Sequence, residues 1–448
     1  MRHLRPRAYA QAIVAANDIE IAPITRPLAA TVKVPGSKSL TNRALLLAAM
    51  AAGRSTIESV LISDDTRRMA AALQALGFAL EVDEQARRIT VAGGAGVIPS
   101  TAASLDAGGA GTAMRFLAGF LTLGRGRYRL DGNARMRERP LGALIDAMRT
   151  LGLDVTSEFG NRCPPIVIDT TGAAFTGGAV AIDASLSSQF VSALLMPAPL
   201  WRNGLTLTVS GDTARPFIEM TLRLMKDWGA VSTLTADLIV VPGGQRYHAM
   251  DFTVEPDATA ASYFAAAAAL LGGTVTIPGL TQASVQGDAR FLAILEQMGA
   301  HVTWRADAVE VTGTGRLSGV DVAMNSMPDV VPTLAAIAPF ADSPTRIREV
   351  GFIRHHESDR IAAIATELRR LGAAVREFDD GLEIAPSSLQ PAAIETYDDH
   401  RIAMAFAIIG LKLPGLRIKN PGCVAKTYPE FFRDLADLDS VANLGHQR

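Results

Sequence analysis

The chain repeats itself. A helix-like run closed by glycine and followed by a strand-like segment recurs at Leu76-Gly77, Leu151-Gly152, Trp228-Gly229, Met298-Gly299 and Leu371-Gly372, so that successive glycines lie 75, 77, 70 and 73 residues apart. A period of this size limits the fold more than any single motif, because every copy must bury its apolar face against the next. A second marker is a Gly or Pro followed by an alternating β-branched segment, as in Gly273-Thr274-Val275-Thr276-Ile277. It begins at Gly53, Gly126, Gly204, Gly273, Pro344 and Gly415, which makes six units. Within a unit, helical spacing alternates with period-two strands. Ile361, Ile364, Ala365, Leu368 and Leu371 share one face of the last clear helix, and the closing glycines fit left-handed C-caps. Six helix-and-strand units in 448 residues predict an α/β (α+β) protein of two similar domains with three units each. The pattern leaves open whether helices lie inside and sheets outside or the reverse. A cleft between two such halves is the natural ligand site.

Composition narrows the function. The formal net charge is −2, so the whole-molecule field offers nothing to nucleic acid or an anionic membrane, and any anion site must be local. Two cysteines, Cys163 and Cys423, are too few for a disulfide framework, a zinc cluster or a CxxC redox pair, and fit a reducing cytoplasm. Apolar runs such as Ala44 to Ala52 and Phe264 to Leu271 stop at Gly53 and Gly272; they read as buried helices, not membrane spans. Arg2, Arg5 and Arg7 precede the first acid, Asp18. That is the charge bias of a transit peptide without its serine content, and a short disordered extension is the expectation.

Several segments could carry chemistry. In Val34-Pro35-Gly36-Ser37-Lys38-Ser39-Leu40-Thr41-Asn42-Arg43, a helix starting near Ser39 would put Lys38 and Ser39 among free N–H groups that attract anions, with Arg43 one turn on. It is not a Walker A loop, since Ser37 separates Gly36 from Lys38; an ordinary cap with solvated bases explains it equally well. Gly108-Gly109-Ala110-Gly111-Thr112-Ala113-Met114-Arg115 is a glycine-rich turn opening a helix, and glycine allows close backbone approach, yet such turns are common. Arg135-Met136-Arg137-Glu138-Arg139-Pro140 reads most simply as a solvated charged loop. Ser185-Leu186-Ser187-Ser188-Gln189 sets hydroxyls before an apolar run, suiting either a phosphate or a plain cap. Among acids, Glu357 and Arg360 fall at the start of the helix that buries Ile361; an acid or base and a helix-start ion pair are the two readings. Asp329 interrupts an apolar stretch, where an N-cap is the modest explanation, and Asp64-Asp65 is read as a cap outright. Arg401 and Lys426 are unremarkable one at a time.

Taken together, and in order, PGSKSLTNR, AGTAMR, RMRERP, SLSSQF, DATAASYF, SVQGD, MPD, ESDRI, DDHRIAM and KTYP resemble the 5-enolpyruvylshikimate-3-phosphate synthases from about Pro23 to Phe432. The resemblance implies two domains, 1–36 with 257–448 and 37–256, each of three βαβαββ-type units in an inside-out α/β barrel, with the active site in the interdomain cleft. It implies transfer of the enolpyruvyl group of phosphoenolpyruvate to the 5-hydroxyl of shikimate 3-phosphate, releasing phosphate, on the way to chorismate and the aromatic amino acids. Carried over by position, Lys38, Ser39, Arg43, Ser187, Ser188, Gln189, Asp329 and His356 would hold shikimate 3-phosphate. Lys38, Gly111, Arg139, Gln189, Arg360, Arg401 and Lys426 would line the phosphoenolpyruvate site. Asp329 matches the family's proton acceptor, Glu357 its other acid/base carboxylate, and Lys38 joins them in catalysis. Neither metal nor cofactor is required; a cytoplasmic monomer with these two small substrates is expected, and Gly111 leaves room for glyphosate.

The sequence also departs from the pattern. His356 stands where many members have Lys, and would be partly charged near neutral pH. Ala214 and Phe217, after Thr213, replace a usual Ser and Tyr; Phe352 and Gly109 replace frequent Asn residues. These changes fall on the shikimate side and predict a divergent pocket there. Two alternatives stay open: the related UDP-N-acetylglucosamine transferase, which uses a loop cysteine that neither Cys163 nor Cys423 matches, and an inactive anion-binding relative.

Overall fold

The computed structural model describes residues 17–172, 175–211 and 214–439. The N-terminal extension read from Arg2, Arg5 and Arg7, and Thr213, lie outside the described residues. The chain forms two compact units: Met1–Val34, Pro256–Ser284 and Asp288–Arg448 make the first, Pro35–Glu255 and Val285–Gly287 the second.

The repeat is a βαβαββ motif. One copy runs through strand Ala102–Asp106, helix Gly111–Phe120, strand Arg127–Asp131, helix Gly142–Thr150, and strands Asp154–Ser157 and Ile166–Asp169. Its first two strands are parallel, and the closing hairpin adds antiparallel to the second strand. The copies built on strands Gly178–Asp183 and Asp321–Ala323 follow the same order. In two other sheets the first strand comes from elsewhere in the chain. Asp251–Thr253 pairs parallel with Ala52–Glu58 in the second unit, and Leu28–Thr31 pairs parallel with Gly273–Pro278 in the first. The chain thus leaves a strand behind each time it passes from one unit to the other. The sixth copy is shortened: Asp18–Glu20 takes the antiparallel place beside Arg417–Lys419.

Both sequence markers have a physical basis. Gly77, Gly152, Gly229, Gly299 and Gly372 all adopt positive φ, from +88° to +103°. The N–H groups of Phe78, Leu153, Ala230, Ala300 and Ala373 then reach back to the carbonyls of Leu73, Met148, Met225, Leu295 and Leu368 at 2.9–3.1 Å. This is the six-to-one bond of a Schellman cap, which a residue with a Cβ would strain. The second marker opens the second strand of each copy.

The question of inside versus outside is settled by burial. The first helix of each repeat is buried on nearly every side: Lys38–Met50, Gly111–Phe120 and Gln189–Leu195 in the second unit, Ala258–Leu271, Val331–Ile337 and His400–Gly410 in the first. Sheets form the outer layer, with alternating exposure as in Gly178–Asp183. Small residues let the central helices touch: a Cβ on Gly119 would stand 1.9 Å from the Ala193 carbonyl oxygen. One expectation is corrected in detail. The alanine run to Ala52 does not end as helix, because the helix stops at Met50 and Ala52 opens the exposed start of a strand. Among the described residues no helix is long and apolar enough to cross a membrane.

Candidate active site

Many of the motif residues lie at or just before helix starts, where free N–H groups and charged side chains concentrate. In the first unit the centre is Arg360, whose side chain is 1% exposed. Its Nη1 donates to Asp329 Oδ1 at 3.0 Å, its Nη2 to Glu357 Oε2 at 2.8 Å and its Nε to Asp399 Oδ2 at 2.9 Å. Arg401 Nη2 donates to the other Asp329 oxygen at 2.6 Å, and Lys426 Nζ to the other Glu357 oxygen at 3.0 Å. Burial by itself would lower both guanidinium pKa values, but the pull of Asp399, Glu357 and Asp329 on Arg360, and of Asp329 on Arg401, wins and holds both above the ordinary arginine range. Three cations are therefore balanced by three carboxylates.

Exposure separates the acids. Asp329 and Glu357 keep 22% and 13% of their side-chain surface, whereas Asp399 keeps none. The first two can meet a ligand. Asp399 cannot; it caps its helix through the Arg401 N–H and takes a bond from the Ser358 hydroxyl while it orients Arg360. The N-cap reading of Asp329 is corrected here: its two oxygens serve two arginines, and the helix that follows, Val331–Ile337, has Val330 at its N-cap. Glu357 and Arg360 do form the ion pair foreseen, but Glu357 lies before the helix, which begins at Arg360. His356 Nδ1 faces Arg360 Nη1 at 3.1 Å. Guanidinium only donates, so this contact is a hydrogen bond when Nδ1 carries no proton. Phe352 packs edge-on against this ring at 5.9 Å.

In the second unit Ser37 caps the helix that begins at Lys38. Gly36 is required there because a Cβ would fall 2.0 Å from the Ser59 carbonyl oxygen. Ser39 is half-buried at the second helical position. Arg43 is not a solvated base: it is 1% exposed, and burial pushes its guanidinium down to about 9. It bonds the Thr221 hydroxyl at 2.8 Å, the Ser39 and Phe217 carbonyls at 3.1 and 3.2 Å, and the Ser192 hydroxyl at 3.4 Å. At Gly111 a Cβ would lie 2.6 Å from Arg115 Nη1 and 2.7 Å from Arg139 Nη1, so any side chain there would push those guanidinium ends aside. Two guanidinium groups thus flank a bare backbone at a helix start. The solvated-loop reading holds for Arg135 and Arg137, which pair with Glu138 and Asp131 at the surface, and fails for Arg139, which is 7% exposed. Gln189 Nε2 reaches the Thr112 hydroxyl at 3.4 Å, tying two helix starts together, and its N–H is capped by Ser187. Ser188 is buried. Ala214 adopts φ +53° ahead of helix Arg215–Asp227.

These positions can now be set beside known proteins. The model of the EPSP synthase (3-phosphoshikimate 1-carboxyvinyltransferase) family matches residues 23–435. The chain belongs to this family. It is 48% identical over 418 residues to a 3-phosphoshikimate 1-carboxyvinyltransferase of Nostoc sp., covering 93% of this chain and 98% of that protein. To the protein of the same name from Cronobacter sakazakii it is 44% identical, covering 95% and 100%. A solved EPSP synthase of Acinetobacter baumannii superposes with TM-score 0.78 at 25% identity, over 94% of this chain and 98% of that one. The reading as a family transferase thus stands on sequence and fold together. Both thiols are buried or half-buried and pushed up by burial, Cys423 to about 12.

Sequence reasoning gave no role to Asp399, Arg115 and Asp288. Asp399 was within reach: it precedes a buried helix as Asp257 does, at the same place in the repeat. Asp65 was misread as a cap. Ser63 caps that helix, in a box with Thr66, and Asp65 is 3% exposed with Oδ2 3.3 Å from Lys38 Nζ.

Proposed function

We propose that the two clusters divide the family's reaction between charge placement and proton transfer. The chain moves the enolpyruvyl group of phosphoenolpyruvate to shikimate 3-phosphate in the shikimate pathway. In the proposal Lys38, Ser39, Arg43, Ser187, Ser188, Gln189 and His356 hold shikimate 3-phosphate, whose 5-hydroxyl meets Asp329. Lys38, Gly111, Arg139, Gln189, Arg360, Arg401 and Lys426 hold phosphoenolpyruvate. Asp329 takes the hydroxyl proton as the oxygen adds to C2, while a proton from the Glu357–Lys426 side goes to the methylene carbon. The tetrahedral intermediate then expels phosphate and returns a methyl proton to form the product's double bond, so protons balance over the cycle. Residues 1–36 with 257–448 and 37–256 act as the two functional domains, and the protein works as a cytoplasmic monomer.

The observation that carries this reading is the pairing of Asp329 and Glu357 through one buried guanidinium, with a second cation on the far oxygen of each. Each carboxylate is oriented and partly open. Each cation can also exchange its internal partner for a substrate carboxylate or phosphate, for which arginine forks are suited. Release of inorganic phosphate from phosphoenolpyruvate tests it, with and without shikimate 3-phosphate, for wild type, Asp329→Ala and Glu357→Ala. Release that depends on the acceptor and collapses in both variants is expected; undiminished turnover in either variant overturns the assignment of that carboxylate.

A further inference from the structure

Asp65 has no part in the roles above, and helix capping does not account for it. Ser63 and Thr66 satisfy the start of helix Asp64–Ala75, with the Ser63 N–H donating to Thr66 Oγ1 at 3.0 Å. Asp65 turns inward instead, 3% exposed, and its Oδ2 lies 3.3 Å from Lys38 Nζ with no regular hydrogen bond of its own. A carboxylate in such a place is strongly unfavourable unless a cation neutralises it. The Lys38 ammonium is that cation.

The frame around the pair is cross-braced. Thr41, one turn into the Lys38 helix, donates to the Ser37 carbonyl at 2.8 Å and accepts from the Leu61 N–H at 3.2 Å. Thr66, next to Asp65, donates to the Leu61 carbonyl at 2.7 Å. Gly36 lies so close to the Ser59 carbonyl that only glycine fits. The backbones carrying Lys38 and Asp65 are thus pinned to the same loop, and their separation is set by the fold.

We propose that Asp65 is a positioning residue for the transfer, acting through Lys38; the proposal rests on the assignment of Lys38 to the substrate site. A lysine ammonium rides on a flexible four-carbon stem, and a fixed counter-ion turns it from a mobile charge into an oriented donor. Near a site for two anionic substrates a negative side chain would by itself weaken binding, so its placement there is explained by what it does to Lys38.

The test is a double-mutant cycle of Asp65→Asn, Lys38→Gln and the pair, read on kcat/KM from phosphate release and on thermal melting. Where turnover is too slow to follow, the cycle is read on the dissociation constant of shikimate 3-phosphate. Asp65→Asn is expected to lower kcat/KM about 10- to 100-fold in the wild type and to change it by less than about twofold when Lys38 is already Gln. Lys38→Gln should melt lower than wild type, and adding Asp65→Asn should recover part of that loss. If Asp65→Asn costs the same factor in both backgrounds, it acts on the fold and not through Lys38, and the proposal falls while the Lys38 assignment stands. If Lys38→Gln keeps wild-type kcat/KM, the Lys38 assignment fails first, and this proposal with it.

Discussion

The two clusters are both built around helix starts in a repeated fold, and they differ in how their buried arginines are held. In the first unit every cation of the cluster rests on a carboxylate: Arg360 on Asp329, Glu357 and Asp399, Arg401 on Asp329, and Lys426 on Glu357. In the second unit Lys38 also rests on a carboxylate, Asp65, but Arg43 is held by two hydroxyls and two carbonyls, all neutral, and Gly111 keeps a gap between two guanidinium groups. A balanced cluster can pass protons and exchange partners without gathering net charge. A cluster held by neutral groups keeps its positive potential for a ligand. The repeat therefore duplicated a scaffold for placing side chains at helix starts, and the chemistry came from filling those places differently.

The largest effect should come from the acids of the first unit. Asp329→Ala is expected to lower kcat about 10²- to 10⁴-fold with little change in folding, as measured by phosphate release; Ser188→Ala in the second unit should cost far less. Equal losses would break the division between proton transfer and charge placement. Stability offers the next contrast. Arg360→Met strands Asp399 in the interior and should cost about 3–5 kcal/mol, whereas Arg43→Met leaves only neutral groups unpaired and should cost about 1–3 kcal/mol. Chemical denaturation of the two variants would rank them, and the reverse order would refute the comparison.

A third test addresses the gap at Gly111. The added methyl of Gly111→Ala would collide with Arg115 and Arg139, and displacing those ends should raise KM for phosphoenolpyruvate about tenfold or more while kcat changes less. An unchanged KM would remove Gly111 from the phosphoenolpyruvate site. The smallest effect concerns pH. Asp288 is fully buried beside Asp329, and burial first, then that neighbour's charge, pushes its carboxyl up to about 7. Between about pH 4 and about 7 the native state then binds a proton that the unfolded chain has lost, so its contribution to stability is full at the acid end and is lost as pH rises through the folded pKa. Asp288→Asn, which cannot ionise, should flatten that decline in Tm; parallel curves for variant and wild type would assign the slope to another group.

The difference between the clusters also explains what could be read in advance. The repeat was legible because its cause is local: a left-handed glycine must follow each amphipathic helix, and β-branched alternation must follow each turn. The carboxylates Asp329 and Glu357 stood out because each interrupts or heads an apolar pattern. Asp329 was nevertheless given a cap to serve, since an acid ahead of an apolar run looks the same whether it bonds its own helix or two arginines about 30 and 70 positions later. The arginines of Arg135-Met136-Arg137-Glu138-Arg139 are alike in sequence, and only the fold sends Arg139 inward while Arg135 and Arg137 stay at the surface.

By itself the sequence determined the six-fold periodicity, the α/β class and the ordered motifs that mark the family, because these depend on neighbours along the chain or on patterns within one element. Tertiary structure alone decided that the helices lie inside and that strands Leu28–Thr31 and Asp251–Thr253 complete sheets whose other strands lie elsewhere in the sequence. It also decided that Asp399 stands behind Arg360 and Asp65 beside Lys38. Those outcomes turn on which charges are buried together. The energy of a buried charge is set by partners brought within a few ångströms through folding, and that information is absent from the local pattern.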